Sequence, residues 1–176
     1  QLRWRPLEVD TPLHKLHWFY SSKPDFATSL KTVDELMDNW ESSVGKGGQL
    51  MLGIAPDRHG LLPEADVKRL AEFGKTLKAR YGDEANLAAK HATADDNVAA
   101  ALDGDPATFW SAPAGSAHAT LEVDLGRDVT FDHAMSMERL DDGQNVRGYA
   151  VQVWDGQGWK TVAQAEAIGH MKIDRF

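Results

Sequence analysis

An α/β region followed by an all-β region is the fold class that this 176-residue sequence predicts. Three observations predict it. Residues 32–80 read helix–strand–helix, the order of consecutive units in an α/β fold. Near Gly82 the texture changes to a stretch rich in Ala, Asp and Gly. From residue 119 onward, short alternating runs are split by Gly and Asp turns, as in an antiparallel sandwich.

Pro6 and Pro12 argue against helix in residues 1–20, which read as loop and short extended pieces. A polar turn, Ser21–Asp25, separates them from the first helix. Thr32 and Glu35 have the spacing of a capping box, and Leu36, Met37, Trp40 and Val44 follow as one apolar stripe. Gly45 and Gly47-Gly48 end that helix. Gln49–Ile54 is apolar at nearly every position, which predicts a strand buried on both faces, as in a parallel sheet. Its turn, Pro56–Gly60, occupies the place where α/β proteins put function. A second helix is predicted over 64–79, with Val67, Leu70, Phe73 and Leu77 as its buried stripe. Residues 83–118 show little helical periodicity. Leu121/Val123/Leu125 and Tyr149/Val151/Val153 alternate as strands, and Gly156-Gln157-Gly158 marks a hairpin turn before Trp159 and Val162. The domain division is placed after residue 84, giving 1–84 and 85–176.

With 42% hydrophobic and 26% charged residues, the composition is that of a globular protein. A formal net charge of −8 argues against nucleic-acid and anionic-membrane partners. No apolar run approaches the ~20 residues of a membrane span. Zero Cys excludes disulfides, a thiol nucleophile and a thiolate metal site.

Four groups of residues could carry chemistry. Glu8 and Asp10 lie two apart, on one face of an extended segment. Paired carboxylates ~5–9 Å apart run glycoside hydrolysis, but such a pair is also an ordinary solvated edge. Trp18-Phe19-Tyr20 could be core packing or the aromatic wall of a sugar site, where a ring receives the C–H face of a pyranose. His14 and His17 have no evident third metal ligand. Asp103, Asp105 and Thr108 sit in a turn, DGDPAT, that could be an Asp-Gly turn or hold Ca²⁺ through oxygen ligands. Gly45-Lys46-Gly47-Gly48 lacks the strand before it and the helix after it that a phosphate loop requires.

The order WRPLEVD, HWFY, SSVGKGG and LMLGIAPDRHGLLPEADVKRLAEFG resembles the C-terminal part of the catalytic domain of α-L-fucosidases of glycoside hydrolase family 29. NLAAKHATADD, ALDGDPATFW, LEVDLG, MERLDDGQNVRGYAVQVW and IGHMKIDRF resemble the β-sandwich that follows the barrel in those enzymes. The resemblance covers essentially the whole chain. It implies the last βα units of a (β/α)₈-like barrel, then a discoidin-like antiparallel sandwich, the whole truncated at both ends. It implies retaining release of terminal α-L-fucose from a fucosylated oligosaccharide or glycoconjugate, with no cofactor in the chemistry. The nucleophile would be an Asp on an earlier strand outside this chain, so the isolated piece would be inactive and poorly folded. Trp18 falls on the Trp that lines the fucose pocket, and Glu8 on a Glu discussed as acid/base in part of the family. DGDPATFW resembles a first loop that carries a structural calcium in some F5/8 type C sandwiches, which would make Asp103, Asp105 and Thr108 its ligands. The sequence departs from the family at His17, Gly53 and Ala55, where Gly, Asn and Pro are usual. The alternative is a non-catalytic carbohydrate-binding module of a larger enzyme. An extracellular or periplasmic location is expected.

Overall fold

A computed structural model of the chain describes residues 7–91 and 96–176. The loop reading of residues 1–6 lies outside the described residues. The chain forms two compact units, Gln1–Thr76 with Asp132–Phe176, and Leu77–Phe131.

In the first unit, β1 (Glu8–Pro12) and β2 (Gln49–Gly53) pair in parallel, Glu8 opposite Gln49 and Pro12 opposite Gly53. A parallel pair needs a crossover. Here α1 (Pro24–Thr28) and α2 (Val33–Ser43) make it. The capping box forms as expected: Glu35 N–H donates to Thr32 Oγ1 at 3.2 Å, and Thr32 N–H to Glu35 Oε2 at 2.9 Å. Leu36 and Met37 are buried and Trp40 is half-buried, so the apolar stripe faces inward. One 3₁₀ turn, Val44–Lys46, ends the helix, and Gly47 closes it at φ 80°, a left-handed conformation that suits glycine.

β2 departs from the expectation of burial on both faces. Leu50 and Leu52 are half-buried, but Met51 and Ile54 are 45% and 37% exposed. A two-stranded pair covered on one face buries only that face, so alternation sends Met51 out, while Ile54 lies past the end of the strand at Gly53.

α3 runs over Glu64–Tyr81. Its buried stripe is shifted from the expected one. Val67 is half exposed, and the fully buried residues are Asp66 and Phe73. Leu70 and Leu77 are half-buried. A single straight helix face takes steps of four, three and four, so 66–70–73–77 is in phase and Val67 is not.

The second unit holds two short helices, α4 (Leu87–His91) and α5 (Asp96–Ala99), and a 3₁₀ turn at Asp83–Ala85. The strand expected at 121–125 does not form. Asp124 alone makes a β-bridge there; alternation supplies a face, but a strand also needs a continuous neighbour to take its N–H and C=O groups.

The C-terminal part of the first unit contains two antiparallel pairs. β3 (His133–Ser136) pairs with β6 (Lys172–Arg175), and β4 (Tyr149–Trp154) with β5 (Trp159–Ala165). In the β4–β5 turn, Asp155 Oδ1 accepts N–H bonds from Gln157 and Gly158, each 2.9 Å, and its carboxylate pairs with Lys160. β6 leans on the end of α2. Buried Ile173 sits where a side chain on residue 45 would be, and Arg175 Nη1 donates to Glu41 Oε2 at 2.7 Å.

Two expectations follow. Thr32→Ala removes one half of the capping box and lowers the free energy of unfolding by about 1 kcal/mol in a urea titration. The Lys160 pair and the two turn N–H groups pull the Asp155 carboxyl from 3.8 down to about 2. Because the folded value is depressed, this contribution is fully present above pH 3.8 and is lost as the pH falls through about 2. A carboxyl-carbon NMR titration that placed the midpoint at the ordinary aspartate value would discount the turn.

Candidate functional site

The site begins where the parallel strands end. After Pro12 the chain turns back across β2, and Trp18 comes to rest on Gly53. Indole Cε3 and Cζ3 lie 3.1 Å from the point that a Cβ on residue 53 would occupy. Any larger residue there would push the ring away. Trp18 is 48% exposed and Tyr20 is partly exposed beside it. Past the strand ends opens a shallow cleft of about 370 Å³, between the 20–23 turn and Pro56-Asp57-Arg58. Asp57 Oδ1 accepts N–H bonds from His59 at 2.8 Å and Leu61 at 3.0 Å. These bonds, that of Leu61 most, hold its carboxyl below the usual range.

His14 fixes the segment that carries the aromatics. The imidazole is buried, and Nδ1 lies 2.9 Å from the Phe26 carbonyl and 3.1 Å from Ser29 Oγ. Ser29 Oγ–H donates to that same carbonyl at 2.7 Å. A carbonyl can only accept, so Nδ1 carries a proton. Nε2 then shares one proton with Asp66 Oδ1 at 2.9 Å. Asp66 is 1% exposed, and its second oxygen has no hydrogen-bond partner among the described residues. The His14 ring stacks on Phe26 at 3.8 Å and 15°, and the edges of His17 and Tyr20 meet Phe26 at 5.6 and 5.3 Å. The aromatic wall is therefore held from behind by a histidine anchored to α3. Lys31 closes the end of β1, with Nζ donating to Pro12 O at 2.6 Å and to Thr11 Oγ1. Burial pushes this ammonium down, and nearby Glu35 opposes the shift.

Of the residues expected to act, Trp18 stands at the strand ends. Glu8 does not join it. Glu8 opens β1 at the level of Gln49, four residues and about 13 Å of strand from Gly53. Alternation places Glu8 and Asp10 on the same face as Gly53, with Asp10 nearer the wall. Both ring nitrogens of His14 are engaged, so the His14/His17 pair is not a metal site; among the described residues no cluster of three His, Cys, Asp or Glu could hold an ion.

Asp103, Asp105 and Thr108 do come together. Thr108 Oγ1 lies 2.7 and 2.9 Å from the two Asp103 oxygens and 2.9 Å from Asp105 O. Asp103 Oδ1 also accepts Asp105 N–H at 2.8 Å, and Asp105 Oδ1 accepts Ala107 N–H at 2.9 Å. The Thr108 hydroxyl, with the Asp105 N–H second, holds the Asp103 carboxyl below its ordinary value. Ca²⁺ takes six to eight oxygens. In this arrangement the Asp103 and Asp105 oxygens bond within the turn itself.

Asp66 is the site residue that sequence reasoning missed. The phase 66–70–73–77 was a usable signal, because it put a carboxylate on the buried stripe of α3, where a partner is required.

Residues 1–83 match the family model of α-L-fucosidase, and residues 86–175 that of the F5/8 type C domain. The chain is 23% identical to alpha-L-fucosidase 1 of Arabidopsis thaliana, over 98% of this chain and 35% of that protein. It superposes on a GH29 fucosidase of Ruminococcus gnavus in complex with fucose with a TM-score of 0.82 and 26% identity, covering 99% of this chain and 36% of that one. With the crystal structure of SpGH29 the TM-score is 0.81 and the identity 30%, over 96% and 37% of the two chains. The chain spans about a third of the length of the curated relatives it matches.

Asp66→Ala strands the buried Nε2 of His14 and costs roughly 3 kcal/mol or more, read as a fall in Tm. Gly53→Ala costs less but lifts Trp18. A red shift and loss of intensity in Trp18 emission report it, measured against Trp18→Phe as the blank.

Proposed function

The chain belongs to the α-L-fucosidase family, with an F5/8 type C domain following the fucosidase region, and on that premise we propose that it is the C-terminal part of a retaining exo-glycosidase releasing terminal α-L-fucose. The observation that carries the reading is Trp18, set on Gly53 at the C-terminal end of two parallel strands, two residues before Tyr20, which lines an open cleft. That end of a βα barrel is where active sites sit. An indole held rigidly there receives the apolar face of a sugar, while polar groups around the cleft meet its hydroxyls.

Retaining hydrolysis proceeds by double displacement. A carboxylate attacks the anomeric carbon while an acid protonates the leaving oxygen, and water then releases the sugar with the roles reversed. The nucleophile belongs to the longer protein, and the isolated chain would be inactive. Glu8 is the proposed proton donor by resemblance. Its place on the same sheet face as Gly53 supports that role, and its distance along β1 makes Asp10 the competing carboxylate. The ligand is a fucosylated glycan, and the place of action is extracellular or periplasmic.

The test uses the full-length enzyme and an aryl fucoside. Trp18→Ala lowers kcat/KM by about tenfold or more. Unchanged hydrolysis would sink the pocket assignment. Glu8→Ala loses activity that azide restores; if azide instead rescues Asp10→Ala, the acid/base role moves to Asp10.

A further inference from the structure

The fucosidase reading uses one aromatic surface, and the β4–β5 hairpin carries another. In β4, Tyr149, Val151 and Val153 are half-buried, while Gln152 and Trp154 face out. The register sets Trp154 opposite Trp159 and Gln152 opposite Thr161. Alternation then puts all four side chains on one face of the hairpin. The two indoles meet edge to face, with centroids 5.7 Å apart and planes at 65°. Both stay open to solvent, at 58% and 49% exposure. Beside them Gln152 Nε2 donates to Thr161 Oγ1 at 3.2 Å. That bond leaves the Gln152 carbonyl and the Thr161 hydroxyl hydrogen for an outside partner.

The surface is already ordered. The two N–H bonds to Asp155 and its pairing with Lys160 brace the turn between the tryptophans, so binding would not have to order it. The chemistry selects the partner. Asp155 and Lys160 neutralise each other, and the chain's net charge of −8 disfavours an anionic ligand. Two indoles bordered by an amide and a hydroxyl make too small and too polar a patch for a lipid surface or an amphipathic helix. They suit a pyranose ring, its C–H face on an indole and its hydroxyls on the amide and the threonine.

We propose that Trp154 and Trp159, with Gln152 and Thr161, form a sugar-binding surface for a neutral glycan. It rests on the hairpin alone and stands whether or not the strand-end site hydrolyses fucosides.

The test probes the full-length protein on an array of neutral glycans stripped of terminal fucose, which leaves an exo-fucosidase pocket without its ligand. Wild type retains glycans from this set. Trp154→Ala and Trp159→Ala each weaken retention about tenfold, and aryl-fucoside hydrolysis does not change. Gln152→Ala, which leaves the aromatic pair in place, also weakens retention, and so guards against an alanine variant that fails to fold. The proposal is overturned if wild type holds no neutral glycan, or if retention survives in the folded variants. Loss specific to Trp18→Ala would place binding at the strand ends and overturn it too. A wild type that binds but hydrolyses no fucoside would sink the enzymatic reading and leave the hairpin surface standing.

Discussion

The buried bond between His14 and Asp66 is the constraint on which the strand-end region depends. It joins positions 52 apart in sequence, the segment leaving β1 and the first turn of α3. Neither group could be buried alone, since a desolvated carboxylate or imidazole without a partner costs several kcal/mol. The Phe26 carbonyl and Asp66 Oδ1 engage the two ring nitrogens, and the ring face left over becomes a stacking surface. Electrostatics behind the wall and apolar packing within it are thus the same residue seen from two sides.

That arrangement explains how a small strand pair can present a precise surface. Among the described residues two strands lie side by side here, and one of their faces is open. Trp18 is nevertheless confined: Gly53 sets how near the ring can approach, and the His14–Phe26 stack sets where its neighbours lie. The polar bonds fix direction, while the contact with glycine fixes depth.

Local features of this fold were legible in the sequence because their physics is local. The Thr32–Glu35 box needs only three residues of spacing, and the Gly156–Gly158 turn only its own composition. The parallel strand at 49–53 was legible from its apolar run, although its burial was not, since burial depends on what lies across the sheet. The 121–125 run alternates properly and still forms no strand, because pairing is decided by a distant segment. The site was legible at Trp18 through its aromatic neighbours. At Asp66 it was legible only through the helix phase, because a stripe drawn from hydrophobic residues alone starts at adjacent Val67.

The contact of β6 with α2 has a consequence for how this protein can be taken apart. Family resemblance divides the chain between residues 83 and 86, yet compactness does not: Ile173 fills the space above Gly45, and Arg175 reaches buried Glu41. The last strand belongs physically to the first helices. A recombination point chosen from sequence similarity alone would cut through one folded body.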